Sequence, residues 1–178
     1  MSSRATQKVA MLMGGLSAER EVSLVSGREC AAALRGEGFE VIELDAGADL
    51  AQRLEDLRPD VAFNALHGRW GEDGAVQGLL EWLKIPYTHS GVLASALGMD
   101  KQRSKKAFVE AGLPVVDSKI VAKSDAASQF LLTAPYVIKP NNEGSSVGIY
   151  FVQDGANVLP DLGDDLPDLV MIERFVPG

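Results

Sequence analysis

Lys139-Pro-Asn-Asn-Glu-Gly-Ser-Ser-Val-Gly148 is the stretch on which the reading turns. An apolar segment, Pro135-Tyr-Val-Ile138, runs into it and another, Ile149-Tyr-Phe-Val152, runs out, so the pattern predicts a hairpin with a glycine- and serine-rich loop. Gly144 and Gly148 lack a Cβ and admit positive φ, which lets the backbone approach a ligand closely. Ser145 and Ser146 add hydroxyl and amide donors of the kind that form an anion-binding nest, and Lys139 places a cation at the strand end. A Walker loop needs Gly-Lys at the start of a helix, and that dipeptide is absent from the chain. A strand-loop-strand phosphate clamp is the better reading of the chemistry. An ordinary hairpin turn fits the same residues, because Gly/Ser turns are common.

Outward from the loop, Ser118–Ala122 reads as a strand, Asp125–Leu132 as a helix and Leu169-Val-Met-Ile172 as a strong strand, with a proline- and aspartate-rich passage over residues 154–168. Met99-Asp-Lys-Gln-Arg-Ser-Lys-Lys106 leads into a helix ending at Ala111-Gly112, and its positive cluster reads first as a solvated face. Leu113-Pro-Val-Val116 begins a new extended segment. The change of pattern near residues 98–100 divides the chain into 1–98 and 99–178.

In the first part, Lys8-Val-Ala-Met-Leu-Met13, stopped by Gly14-Gly15, has the continuous apolar character of a buried parallel strand. Leu24, Gly27, Ala31 and Leu34 then recur at helical spacing up to Gly36-Glu-Gly38. Phe39–Leu44 is a second strand, 49–57 a second helix and Asp60–Asn64 a third strand. Residues 75–83 read as a helix, Ile85–Ser90 as a short closing extension and 91–97 as a small helix. The β-α-β-α-β order predicts a parallel sheet with right-handed crossovers, whose ligands gather beyond the carboxyl ends of the strands. Two loops fall there, Gly14-Gly-Leu-Ser-Ala-Glu-Arg-Glu21 and Leu66-His-Gly-Arg-Trp-Gly-Glu-Asp-Gly74. Neither holds Gly-x-Gly-x-x-Gly, the dinucleotide fingerprint. Their carboxylates and histidine suit a small ammonium-bearing ligand. Glu19 equally suits a first-turn carboxylate favoured by the helix dipole, His67 a satisfied half-buried histidine, and Glu72 and Asp73 a helix start.

The chain has 178 residues, 46% hydrophobic and 24% charged, an ordinary globular balance. Its 17 basic and 25 acidic residues give a net charge of −8, which argues against broad binding to nucleic acid or anionic membranes. No apolar run approaches the roughly 18 residues of a membrane span, and the N-terminus lacks a signal-peptide core; a cytoplasmic protein is expected. Cys30 is the only cysteine. No internal disulfide or thiolate metal site can form, and Cys30 reads as a small core residue. His67 and His89 have no metal-motif spacing.

Taken together, five stretches resemble the D-alanine:D-alanine ligase family of ATP-grasp enzymes. They are Gly14-Gly-Leu-Ser-Ala-Glu-Arg-Glu-Val-Ser23, Ala65-Leu-His-Gly-Arg-Trp-Gly-Glu-Asp-Gly74, Tyr87-Thr-His-Ser-Gly-Val-Leu-Ala-Ser-Ala-Leu-Gly-Met-Asp-Lys101, Lys139–Gly148 and Ile172-Glu-Arg-Phe-Val-Pro-Gly178. The resemblance implies a Rossmann-like parallel-sheet domain followed by the small α+β first lobe of an ATP-grasp fold. It implies ATP-dependent joining of two D-alanines through an acylphosphate, for peptidoglycan precursor synthesis. On this reading Lys101 and Lys139 hold the ATP phosphates, and the loop Glu143, Gly144, Ser145, Ser146, Val147 and Gly148 folds over the transferred group. Glu173, Arg174, Phe175 and Val176 meet the adenine. Glu19 binds the ammonium of the first D-alanine, Val22 and His67 lie at that substrate, and Ser145 bonds Glu19. A homodimer built from the first domain is implied, as is Mg²⁺ or Mn²⁺.

The chain stops at Gly178, where the family's second ATP-grasp lobe would begin. The resemblance therefore places the metal ligands, the oxyanion arginine, the covering loop and the ribose carboxylate outside these residues, and no metal ligand is assigned. The passage 154–168 is richer in proline and glycine than the helix the family would place there. Two alternatives stay open: a module that binds nucleotide or amino acid without turnover, and a ligase joining D-alanine to D-lactate or D-serine.

Overall fold

The computed structural model describes residues 7–144, 148–164 and 166–177. Chain contacts divide it into two compact units, Met1–Ala96 and Leu97–Gly178.

The first unit is built on β1 (Lys8–Met13), which lies between β2 (Glu40–Asp45) and β3 (Val61–Asn64), all parallel. A parallel bridge from Ala62 to Tyr87 extends the sheet, with the Ala62 amide donating to the Pro86 carbonyl at 2.8 Å. The unbroken apolar run of β1 follows from its central place. Ala10 and Leu12 face one cluster with Leu44, Leu54 and Leu80, while Val9, Met11 and Met13 face another with Ala31. The pleat sends alternate residues to opposite faces, so a central strand covered on both sides has no polar position. The covering helices are α1 (Arg20–Gly36) on one side and α2 (Leu50–Leu57) and α3 (Ala75–Trp82) on the other. Burying Leu54 or Leu80 contributes about 1.5–3 kcal/mol each. The expected face of α1 is present, with Gly27 and Ala31 buried and Leu24 and Leu34 packed at its margin. A Cβ on Gly27 would sit 2.5 Å from the Met13 Cβ, so only glycine lets this helix approach β1 so closely. Cys30 is half-buried at the edge of the same cluster. The short helix α4 (Val92–Met99) follows.

The second unit opens with α5 (Lys101–Glu110), whose N-cap Asp100 accepts from the Arg103 amide at 2.9 Å. An antiparallel sheet follows in the order β4 (Ser118–Ala122), β7 (Leu169–Arg174), β5 (Tyr136–Pro140), β6 (Tyr150–Val152). The hairpin read from the sequence is there: Tyr136 pairs with Val152 and Ile138 with Tyr150. One sheet face carries Tyr136, Ile138, Val152, Val170 and Ile172 into the core. The fold class is thus the expected one, a parallel α/β unit followed by a small antiparallel α+β lobe.

One local expectation is corrected. The helix expected over Asp125–Leu132 is α6 (Lys123–Ser128), because Leu131 and Leu132 leave the helical path to pack on the core. The described residues of the 154–168 passage form no regular element, in keeping with its proline and glycine content, yet Leu162 and Leu166 are buried in that core and the Gly163 amide donates to the Tyr150 hydroxyl at 3.0 Å. Among the described residues no helix is long and apolar enough to cross a membrane.

Candidate functional site

In the second unit the chemistry lies on the sheet face opposite the core. Lys139 pairs across the ladder with Met171, and Glu173 with Val137. Strand alternation therefore puts Lys139 and Glu173 on one face as diagonal neighbours. The Lys139 ammonium donates to Glu173 Oε2, and the Lys105 ammonium from α5 donates to Oε1. The three side chains are only 16–17% exposed. Burial alone would push the Glu173 carboxyl up, but hydrogen bonds from Lys105 and Lys139 hold it below its ordinary value.

Lys101 belongs to the same cluster. Its ammonium donates to the Asn141 carbonyl at 3.3 Å and to the Glu143 carbonyl. Burial, and then the nearby charge of Lys139, push its ammonium pKa down. Asn141 ties the stem of the glycine loop to the start of α5. Its Oδ1 accepts from the Gln102 amide at 2.9 Å, and its Nδ2 donates to Asp100 Oδ1 at 2.9 Å. The sequence reading gave Asn141 no role, and it set Lys105 on a solvated face. The structure corrects the second point, since Lys105 is as enclosed as Lys139. A spacing of four residues from Lys101 was the available signal.

Glu143 and Gly144 are half-buried at the loop stem. A Cβ on Gly148, whose φ is 66°, would approach the Leu166 Cδ2 to 2.9 Å. Ser145, Ser146 and Val147 lie outside the described residues, and with them the bond expected from Ser145 to Glu19. Past Glu173, the Arg174 amide donates to the Asp117 carbonyl at 3.1 Å and the Phe175 amide to the Pro135 carbonyl at 3.0 Å. Arg174, Phe175 and Val176 border a hollow of about 450 Å³ with Thr133 and Pro135. Phe175 meets Phe151 edge to face, the ring centroids 5.7 Å apart.

In the first unit, the two loops singled out by sequence come together. Ser17 Oγ donates to the His67 carbonyl at 2.8 Å, Ser23 Oγ to the Ala65 carbonyl at 2.7 Å, and Ser26 Oγ lies 2.9 Å from His67 Nε2. Glu19 is buried beside the second loop, and a Cβ on Gly68 would fall 2.8 Å from its Oε1. Val22 is exposed on the outer side of α1. Glu72 accepts from the Gly68 amide at 2.6 Å, and Asp73 accepts from the Trp70 and Ala75 amides at 3.0 and 3.1 Å. Both acids therefore shape the turn into α3, as the helix-start reading had it. His89 Nε2 meets the Asn64 carbonyl at 2.9 Å.

Gly14 and Gly15 have φ values of 70° and 82°. Arg20 grips Asp45 with two parallel bonds of 2.6 and 2.5 Å, and the Gly15 amide donates to Asp45 Oδ1 at 3.2 Å. The guanidinium holds the Asp45 carboxyl down at about 2. Beyond this clasp lies a largely apolar cavity of about 230 Å³, bordered by Leu16, Leu50, Leu66, Trp70 and Leu79. Arg69 stacks over the Trp70 ring at 4.7 Å from its centroid.

Known proteins match this arrangement. The family model described as "D-ala D-ala ligase N-terminus" matches residues 45–90. A D-alanine–D-alanine ligase of Dinoroseobacter shibae is 68% identical over 178 residues, covering 100% of this chain and 58% of the relative. Along its whole length the chain is similar to D-alanine–D-alanine ligases. It spans under two thirds of the length of this ligase relative. The crystal structure of the ligase from Bacillus anthracis superposes with a TM-score of 0.76 at 34% identity, covering 97% of this chain and 59% of that one. The same ligase complexed with ATP gives 0.75 at 32% identity, covering 97% of this chain and 60% of that one.

Proposed function

We propose that the chain supplies the nucleotide-binding and first amino-acid-binding residues of an ATP-dependent D-alanine–D-alanine ligase that serves peptidoglycan precursor synthesis. The observation that carries the reading is that Lys105 and Lys139 share the one carboxylate of Glu173 while Lys101 turns its ammonium to the Asn141 and Glu143 carbonyls at the stem of the glycine loop. Such a surplus of cations in a partly desolvated place suits the charge that develops in phosphoryl transfer, where catalysis is largely positioning and neutralisation. Lys139 and Lys101 act on the phosphates, and Phe175 and Val176 at the edge of their hollow act on the base. Glu19 receives the ammonium of the first D-alanine and His67 lies near its carboxylate.

A carboxylate oxygen of that D-alanine bonds to the γ-phosphorus as the bond to ADP breaks. The amine nitrogen of a second D-alanine then bonds to the acyl carbon as phosphate leaves. Excluding water from the site protects the acylphosphate between the two steps. Mg²⁺ or Mn²⁺ belongs to the family expectation. Among the described residues, however, no three His, Cys, Asp or Glu side chains gather into a cation site, so these residues do not fit a resident ion and no step is assigned to one. A cytoplasmic homodimer built through residues 1–98 belongs to the same reading and is checked by light scattering.

The deciding experiment supplies ATP, Mg²⁺ and D-alanine to a full-length ligase carrying these residues and follows phosphate and dipeptide together; the 178 residues alone are expected to form no dipeptide. One phosphate per D-alanyl-D-alanine is expected. Phosphate release that needs no D-alanine, or a product formed only with D-lactate or D-serine, overturns the assignment of substrate.

A further inference from the structure

Three ammonium groups approach one another here, but they are not equivalent. Lys101 is directed at loop carbonyls, those of Asn141 and Glu143. Lys105 and Lys139 each take one oxygen of Glu173. If Lys139 serves an incoming phosphate, it must divide its donors between that anion and Glu173. The anion also brings negative charge toward a carboxylate whose side chain is 17% exposed. A carboxylate enclosed to that degree and deprived of its cation answers by taking up a proton. The charged groups that act on it are Lys105 and Lys101 on α5 and Lys139 on β5, and Lys101 in turn feels Glu143 in the loop and Asp100 at the start of α5. Among these, only Lys105 and Lys139 hydrogen-bond the Glu173 carboxylate in the described structure, so Lys105 is the cation that remains when Lys139 turns away.

We infer that Lys105 is a positioning residue: it keeps Glu173 ionised while Lys139 engages the nucleotide phosphates, so that nucleotide binding draws no proton onto Glu173. The inference rests on the nucleotide reading given above. It assigns Lys105 a task that contact with nucleotide does not require. The ammonium stays on Glu173 Oε1 in both states, which also fixes the direction in which Oε2 faces.

The test is calorimetric titration of a full-length ligase carrying these residues with ATP and with adenosine, for wild type, Lys105→Met and Lys105→Arg. It runs between about pH 5.5 and 8 in buffers of different ionisation heat. Wild-type proton uptake should match the titration of ATP itself. Lys105→Met should take up close to one further proton on binding ATP, and its affinity should fall with rising pH more steeply than wild type, by up to about tenfold per unit. Adenosine, which carries no phosphate to draw Lys139 away, should show no such added dependence. Lys105→Arg should restore the wild-type profile. A Lys105→Met profile parallel to wild type, or an equal loss for ATP and adenosine at every pH, overturns the inference and leaves the nucleotide reading standing. Wild type that binds no ATP brings down the nucleotide reading, and this inference with it.

Discussion

The turn after β1 and the loop after β5 are both glycine-rich and both follow a strand, yet they are held in opposite ways. At Gly14-Gly15 the charges cancel locally: Arg20 and Asp45 close on each other around the turn, and the backbone is fixed by bonds of 3.2 Å or less. At Lys139 the charges do not cancel, since Lys105 and Lys139 both meet the single carboxylate of Glu173, while the neighbouring Lys101 ammonium is met by the carbonyls of Asn141 and Glu143. Glycine allows close approach in both places. On the function proposed above, the net charge assembled beside it decides whether the turn is braced or left receptive to an anion.

The largest effect that could break this contrast is at Lys139. Lys139→Ala should weaken ATP binding about 100-fold, as expected when one partner of an enclosed charge pair is removed. Titration calorimetry reads this directly, and affinity within a few-fold of wild type would mean that the second loop is no more receptive than the first. Gly14→Ala comes next. The new Cβ would lie 2.4 Å from Asp45 Oδ1 at a φ of 70°, so the unfolding free energy should drop by about 1–3 kcal/mol while ATP affinity stays unchanged. A stable, well-folded Gly14→Ala protein would show that the first turn is not braced by close contact.

A smaller effect sharpens the point by pH. The Asp45 carboxyl is held at about 2, below its usual 3.8, first by the Arg20 hydrogen bond. A depressed acid stabilises the fold above its ordinary pKa and loses that contribution as pH falls through the folded value. The stability gap between wild type and Asp45→Asn should therefore be constant from neutral pH to about 4 and close on the way to about 2. The gap itself should be modest, because the paired side chains are 42% and 48% exposed. Urea unfolding at several pH values measures it, and a gap that widens on acidification contradicts the assignment. The smallest effect is the control: Lys106→Ala, on the exposed side of α5, should leave ATP affinity within about twofold of wild type.

Much of the fold was legible in local pattern. The apolar run of β1, the spacing of Gly27 and Ala31, and the apolar segments flanking the glycine loop each state their element without outside help. The candidate site was legible as a cluster where one residue's chemistry announces itself, as for Lys139 beside the glycine loop. It was illegible where the meaning of a residue lies in a distant partner. Lys105 and Glu173 are 68 positions apart, and a lysine in a run of lysines and arginine looks solvated until that carboxylate is placed beneath it. Asn141 finds its partners about 40 positions away at the start of α5. The early end of α6 has the same cause, because the pull of the core on Leu131 and Leu132 outweighs local propensity.

Trp70 and Trp82 are the only indoles in the chain, and both belong to the parallel-sheet unit, whereas the lysine cluster belongs to the antiparallel one. Their emission is thus a selective gauge of one half of the molecule, blind by construction to melting of the other. Comparing it with far-ultraviolet dichroism during heating reveals whether the halves come apart in one step or in two.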